Sequence, residues 1–384
     1  MRLSKYAVLV AALFIGCEPP PVVSPDGSII EEDAGVIDAG SLDAGEGDDG
    51  GLGDAGQPDA GPGDSGVVDS GVVDSGVPDA GVFDSGVPDA GVPDAGVPDA
   101  GGFDAGVVDS GVPLTGCPVP TGVEAPFVLR AMAANLTSGN FQNYDLGHGT
   151  RIMQGAQPDI VMIQEFKFGA NNAAALDQYV ADNFGAGFTW WRGVGNIPNG
   201  VISRWPIVAS GEWNGEAPDR ELTWAKIDLP GPNDVFVISV HFLTSNAGDR
   251  NLDARTIVQR LDGGVSPYDY VLLGGDFNTN AFSEVAFTTL ASRFKTSGPH
   301  AADQSGNTGT NRNRDKPYDH VFASPCLAAT QVPTVLGTST FMNGAVIDTR
   351  VYSPLSDIAP AQFGDSNSTN MQHMGVVKDF LISP

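Results

Sequence analysis

An α/β layered sandwich of mixed sheets, preceded by a long segment that cannot fold, is the architecture the sequence predicts. Three observations carry that reading. Nine short apolar runs of strand character recur between residues 127 and 382. Four stretches compatible with helix fall among them. Several runs, such as Val-Phe-Val-Ile-Ser-Val and Tyr-Val-Leu-Leu, are almost wholly apolar, as strands are in sheets buried on both faces. Helices supply that cover, which separates this chain from an all-β domain.

The chain of 384 residues carries a formal charge of −28, and that average hides three different polypeptides. Residues 1–16 hold Arg2 and Lys5 and no acid. The apolar run from Tyr6 to Gly16 is too short to cross a bilayer but suits the hydrophobic region of an export signal. Phe14-Ile15-Gly16-Cys17 resembles a bacterial lipobox, with Phe14 in place of the usual Leu. It implies lipidation of Cys17 and an extracytoplasmic protein anchored to a bacterial membrane, at the cell surface or in the periplasm. Plain secretion is the alternative.

Residues 17–112 form the second part, with 22 acids and no Lys or Arg. From Asp54 to Asp109 an aspartate recurs every five residues among Gly, Pro, Ala and Ser. Such a segment buries too little apolar surface to offset its conformational entropy and is expected to stay disordered. A calcium-binding repeat would have period nine and a Gly-Gly-x-Gly-x-Asp core, which this is not. As a flexible coil the segment would span roughly 50–60 Å, a tether holding a domain clear of a surface.

Residues 113–384 carry a charge of only −8 and read as one folded domain, long enough to bury its own core. Strands are expected at 127–134, 159–164, 188–193, 200–203, 223–228, 235–242, 270–273, 320–323 and 376–382. Helices are expected at 146–157, 171–183, 249–262 and 281–292. With Cys17 set aside, Cys117 and Cys326 are left as one candidate disulfide. Two unpaired thiols are the other reading.

Polar residues stand at the ends of these strands. Asn135 closes the first and Glu165 the second; His241 ends Val-Ile-Ser-Val-His, and Asp276 and Asn278 follow Val-Leu-Leu-Gly-Gly. Asp319 lies in Pro-Tyr-Asp-His-Val-Phe, and His373 precedes the last strand. Any one of these could be a turn former; six such segments of carboxylates, amides and imidazoles point to a site. In order and character the motifs resemble the endonuclease/exonuclease/phosphatase family, over about residues 126–384. Gln164-Glu165 and Gly275-Asp276-Phe277-Asn278 are the specific signals.

The resemblance implies a four-layer α/β sandwich, two mixed β-sheets flanked by helices (DNase I-like). It also implies metal-dependent hydrolysis of phosphate esters. Mg²⁺ is the expected ion, or Mn²⁺, with Ca²⁺ as a supporting one. Hard oxygen donors suit it, with Glu165 as anchor and Asn135 as second ligand. By the same resemblance Asp276 orients or deprotonates the attacking water, and Asn278 donates to the phosphoryl oxygen. His373 is oriented by Asp319, and His241 donates to the phosphate or the leaving oxygen. His320 is expected to point away from the site. One departure stands out: the family's usual Ser-Asp-His is Met371-Gln372-His373 here, so Gln372 lacks the charge that would support a second metal.

Arg312 and Arg314 lie just before Asp319, and Arg250, Arg255 and Arg260 follow the His241 strand. They are candidate contacts to substrate phosphates. An endonuclease acting on DNA or RNA is favoured over a sphingomyelinase-like or inositol-phosphatase-like enzyme. A non-catalytic surface binding module on the same fold is the opposing class. No protein partner is implied, and a monomer is expected.

Overall fold

The computed structural model describes residues 114–119, 125–217 and 219–383. The export signal, Cys17 and the repeat segment 17–112 lie outside the described residues. Fourteen strands are described: β1 Phe127–Ala134, β2 Ile160–Ile163, β3 Thr189–Arg192, β4 Gly200–Ser203, β5 Ile207–Trp213, β6 Leu222–Ile227, β7 Val235–His241, β8 Tyr270–Asp276, β9 Asp319–Ala323, β10 Gln331–Val332, β11 Thr334–Leu336, β12 Ser339–Phe341, β13 Ala345–Ile347 and β14 Gly375–Ile382. The helices are α1 His148–Ala156, α2 Ala173–Asn183, α3 Ala247–Asp262, α4 Val285–Leu290 and α5 Pro325–Ala328. None is long and apolar enough to cross a membrane.

Twelve of the strands form two mixed sheets, and β11 and β12 pair by themselves. One runs β10-β14-β1-β2-β4-β3 with β13 also paired to β14, and the other β5-β6-β7-β8-β9. Side-chain alternation sorts their residues into layers. Leu129, Ala131 and Ala133 of β1 pack with Val237 of β7 and Leu272 of β8 in a core between the sheets. Met132 and Ala134 turn outward onto Ile152 and Met153 of α1. Val271 and Leu273 of β8 turn the other way, onto Ile257 and Leu261 of α3. The result is the expected helix–sheet–sheet–helix order.

Each sheet holds one parallel pair joined by a helix: β1 and β2 through α1, β7 and β8 through α3. All four strands therefore bring their C-terminal ends to the same edge of the sandwich. Strands β9 and β14 run antiparallel to their neighbours, so their N-terminal ends reach that edge too. Every candidate residue at a strand end thus arrives at one place.

The sheets come close beneath that edge because β8 carries Gly274 and Gly275. A β-carbon on Gly274 would lie 2.6 Å from the Met162 side chain. One on Gly275, at φ +135, would lie 2.1 Å from the Val240 carbonyl oxygen and 2.6 Å from Gln164. Only glycine fits there. Gln164 uses the room to cross between sheets, its Nε2 donating to Ser239 Oγ (2.9 Å) while that hydroxyl donates to the Ile163 carbonyl (3.1 Å).

The observed strands match the expected nine closely, with β8 extended to Asp276. The pattern missed β5, a half-exposed edge strand, and the two- and three-residue strands β10 to β13, too short to show a period. Cys117 and Cys326 are bonded, with Cα atoms 5.3 Å apart, joining the start of the domain to α5.

Asp253 of α3 is buried and accepts from the Glu216 amide (2.8 Å). Burial raises its pKa to about 6, above the unfolded value. The native carboxyl is therefore favoured neutral, and stability falls as pH rises from about 4 through 6. Asp253→Asn keeps the accepting oxygen. It should raise stability at pH 8 by about 1–2 kcal/mol and leave it unchanged at pH 4. Thermal melts at the two pH values check this; equal gains at both would refute it.

Candidate active site

His241, Asp276 and Asp319 occupy facing register positions on β7, β8 and β9, so their side chains share one face at strand spacing. Asp276 is the hub. Its Oδ1 accepts from the Asn278 amide (2.8 Å). Its Oδ2 accepts from Asn135 Nδ2 (3.1 Å) and Asn278 Nδ2 (3.1 Å) and lies 3.2 Å from His241 Nε2 and 3.4 Å from His373 Nε2. Burial outweighs these donors and raises its pKa to about 6.

His373 Nδ1 donates to Asp319 Oδ2 at 3.0 Å. Burial works against protonation of this ring, but Asp276 and Asp319 prevail and lift its pKa to about 10. The imidazole is thus held as a cation between two carboxylates. His241 is the opposite case: burial, then the Arg220 and His373 charges, drives its pKa well below the usual value. Two histidines at one site are pushed to opposite charge states.

Glu165 has φ +51 and Asn278 φ +50. A left-handed backbone is tolerable for Asn but strained for Glu, and such strain collects at functional sites. Thr137 Oγ1 donates to Glu165 Oε2 at 2.8 Å, and burial raises the carboxyl's pKa despite that bond. The Tyr144 hydroxyl donates to the carbonyls of Ala134 (2.8 Å) and Gln164 (3.1 Å) and accepts from the Leu136 amide (3.3 Å). It ties together the strand ends that carry Asn135 and Glu165.

All seven candidate residues thus converge, but some contacts differ from expectation. Both amide hydrogens of Asn278 are engaged, with Asp276 and with the Phe242 carbonyl (2.9 Å). Its donor is not free for a phosphoryl oxygen; it orients Asp276. Arg314 pairs with Asp303 and Asp348, both at 2.8 Å, and is nearly buried. Arg312 donates to the carbonyls of Ser368 (2.9 Å) and Met371 (2.8 Å). Neither is a free phosphate contact as expected; each holds the loops around Asp319 and His373. Arg250 is likewise buried against Glu284. Gln372 is exposed and contributes nothing to the cluster. His320 turns outward into Phe277, Phe287 and Phe322.

Sequence reasoning missed three groups: Thr137, Tyr144 and Arg220. Arg220 Nη1 donates to His241 Nε2 at 3.0 Å, and its side chain retains 17 % exposure, placing a guanidinium at the mouth. It precedes β6 across the sheet, and no local pattern marks it.

A metal fits this set. Asp276, Asp319 and His373 each bring a ligand atom within 4.8 Å of the others, all buried. The buried oxygens Asn135 Oδ1 and Asp319 Oδ1 have no hydrogen-bond partner among the described residues. Buried oxygen acceptors are normally satisfied, and carboxylates with an amide oxygen suit a hard divalent cation.

Residues 147–357 match the family model described as Endonuclease/Exonuclease/phosphatase family, a little over half of the chain. The chain belongs to the endonuclease/exonuclease/phosphatase family. Members of this family are phosphoesterase hydrolases. Asn135 and His373 fall outside the matched residues, and the fold returns both to the cluster. Among solved structures, the chain is similar to an endonuclease/exonuclease/phosphatase from Beutenbergia cavernae, at 18 % identity and TM-score 0.46 over 67 % of this chain and 72 % of that one. The Bacteroides vulgatus endonuclease/exonuclease/phosphatase gives 16 %, 0.48, 67 % and 100 %. A mannosyl-6-phosphatase from Bacteroides thetaiotaomicron gives 16 %, 0.42, 66 % and 99 %. No curated protein matches.

Proposed function

We propose that this family member is a divalent-metal-dependent phosphodiesterase acting on nucleic acid, carried outside the cytoplasm on a lipid anchor at Cys17. The observation that carries the reaction is the buried cluster of Asp276, Asp319 and His373. Asn135 and Glu165, beside that cluster, would hold the cation, which when bound supplies Lewis-acid stabilisation of charge on the phosphoryl oxygens.

The chain's own groups account for the proton transfers. Asp276, fixed by Asn135 and Asn278, orients a water and takes its proton as the water oxygen bonds to phosphorus. The His373 imidazolium, fixed by Asp319, donates through Nε2 to a non-bridging oxygen whose charge grows in the transition state. The ester oxygen leaves with the electron pair of the broken P–O bond and takes a proton from solvent. Arg220, paired with Asp219 (3.1 Å), borders the same space through His241.

Nucleic acid is favoured over a lipid or sugar phosphate by the loop after β1. That loop is pinned on both sides of the site. The Gly139 amide donates to the Thr369 carbonyl (2.8 Å) and Asn370 Nδ2 donates back to Gly139 (2.7 Å), while Lys167 Nζ reaches the Phe141 carbonyl (3.5 Å). At its tip Phe141 is 81 % exposed, a ring on which a base can stack beside a lysine, worth about 1–3 kcal/mol. Phe141→Ala should raise KM for single-stranded DNA about 5- to 150-fold and leave hydrolysis of bis(p-nitrophenyl) phosphate unchanged; an equal loss on both substrates removes this argument.

The reaction itself is tested with the purified protein, Mg²⁺ or EDTA, and plasmid DNA, RNA, sphingomyelin and inositol phosphates. Metal-dependent cleavage of DNA or RNA is expected. Folded protein that cleaves none of the four would be a binding module. Radiolabelled palmitate incorporation lost on Cys17→Ser tests the anchor.

A further inference from the structure

Asn135 and Glu165 stand just past the last paired position of β1 and β2, Ala134 opposite Ile163. Beyond that position the ladder lengthens, with the Gln164 amide reaching the Ala134 carbonyl at 3.3 Å. Glu165 also has a left-handed backbone, φ +51, which a side chain of that kind holds only when its surroundings impose it. Two residues at fraying strand ends, one of them strained, need an outside hold to keep their side chains aimed together.

The Tyr144 hydroxyl supplies that hold through three peptide groups. It accepts from the Leu136 amide (3.3 Å), and its hydrogen is shared between the carbonyls of Ala134 (2.8 Å) and Gln164 (3.1 Å). The peptide groups on both sides of Asn135, and the one that joins Gln164 to Glu165, therefore end on a single oxygen. Peptide groups are planar, so pinning both neighbours of Asn135 fixes its two backbone dihedrals and the direction of its side chain. On the far side of Glu165 the Tyr144 amide donates to the Lys167 carbonyl (3.1 Å). The ring is itself held, 2 % exposed, with Ile152 and Met153 of α1 in the same apolar layer and the Tyr179 ring 6.0 Å away.

We propose that Tyr144 is a positioning residue that sets the affinity of Asn135 and Glu165 for the divalent cation, acting through the backbone of both. The inference rests on the metal reading given above. Groups that orient ligands from behind typically carry a factor of about 10 to 100 in metal affinity.

The experiment is Mn²⁺ binding to the full chain without substrate, followed by the electron paramagnetic resonance signal of the free ion. Tyr144→Phe, which keeps the ring, should raise Kd about 10- to 100-fold, and kcat at saturating Mn²⁺ should return close to the wild-type value. Tyr179→Phe is the control. That residue is equally buried, at 1 % exposure, and would lose its hydroxyl contact with Thr150 Oγ1 (3.0 Å) in the same layer. It should lower Tm and leave Kd unchanged. Where Tyr144→Phe does not fold, exchanging the Leu136 amide for an ester keeps the tyrosine, removes one bond to its oxygen and should weaken Mn²⁺ binding in the same direction. Wild-type Kd in the folded variant, or an equal weakening in Tyr179→Phe, overturns the role of Tyr144. No Mn²⁺ binding to the wild type would overturn the metal reading itself, and this role with it.

Discussion

Replacing His373 with alanine is expected to lower kcat for nucleic-acid hydrolysis by about 10³-fold, within the range of a positioned proton-transfer group, with KM little changed. The ring lies between Asp319 Oδ2 at 3.0 Å and Asp276 Oδ2 at 3.4 Å, so its removal takes away both a donor to the phosphoryl oxygen and the counter-charge of two buried carboxylates. The split between kcat and KM is informative, because a donor acting on charge present only in the transition state should not alter substrate binding. Asp319→Asn should fall between wild type and His373→Ala, since it weakens the hold on the ring without removing it. Gln372→Ala, at an exposed position, should be silent. Full activity in His373→Ala, with circular dichroism showing a native fold, would remove His373 from the mechanism.

Removing the Cys117–Cys326 bond by a double change to alanine is expected to cost about 2–4 kcal/mol of stability. That corresponds to a fall in Tm of about 5–10 °C for a domain of this size. The bond closes a loop with a sequence separation of 209, so in the unfolded chain it forbids many conformations. Cys326 is also buried in the inter-sheet core with Cys117 packed on it, so the alanines lose apolar contact as well. Activity at 25 °C should be unchanged. The bond is remote from the site, with Cys326 of α5 just beyond the C-terminal end of β9 while Asp319 begins that strand. An unchanged Tm would mean that the domain's core alone sets its stability.

The fold class was legible because its signals are local. Apolar runs such as 235–240 reveal burial on both faces within six residues, and α1, α2 and α3 lie within two residues of their expected bounds. Strand β5 and the short strands β10 to β13 were not legible, since half-exposed edges carry no apolar run. The candidate site was legible in part, because Asn135, Glu165, His241, Asp276, Asp319 and His373 each end or begin a strand. Thr137, Tyr144 and Arg220 were not, because each acts on a partner chosen by packing. The two arginines before Asp319 misled for the same reason. A guanidinium reads as a surface cation in sequence, and only the neighbouring Asp303 and Asp348 show that Arg314 is committed inside.

By itself, the sequence determined which residues could do chemistry, the layered α/β class and the family they resemble, because strand-end polarity and apolar periodicity are written in adjacent positions. Tertiary structure alone decided the charge states and the partners. Residues up to 249 positions apart, Arg130 and Asp379, share one ion pair. His241 and His373, chemically the same residue, are driven in opposite directions: burial, joined by the Arg220 charge, lowers the first, while two carboxylates overcome burial and raise the second. The energy of a buried charge depends on what lies within a few ångströms of it, and that distance is set by folding rather than by order along the chain.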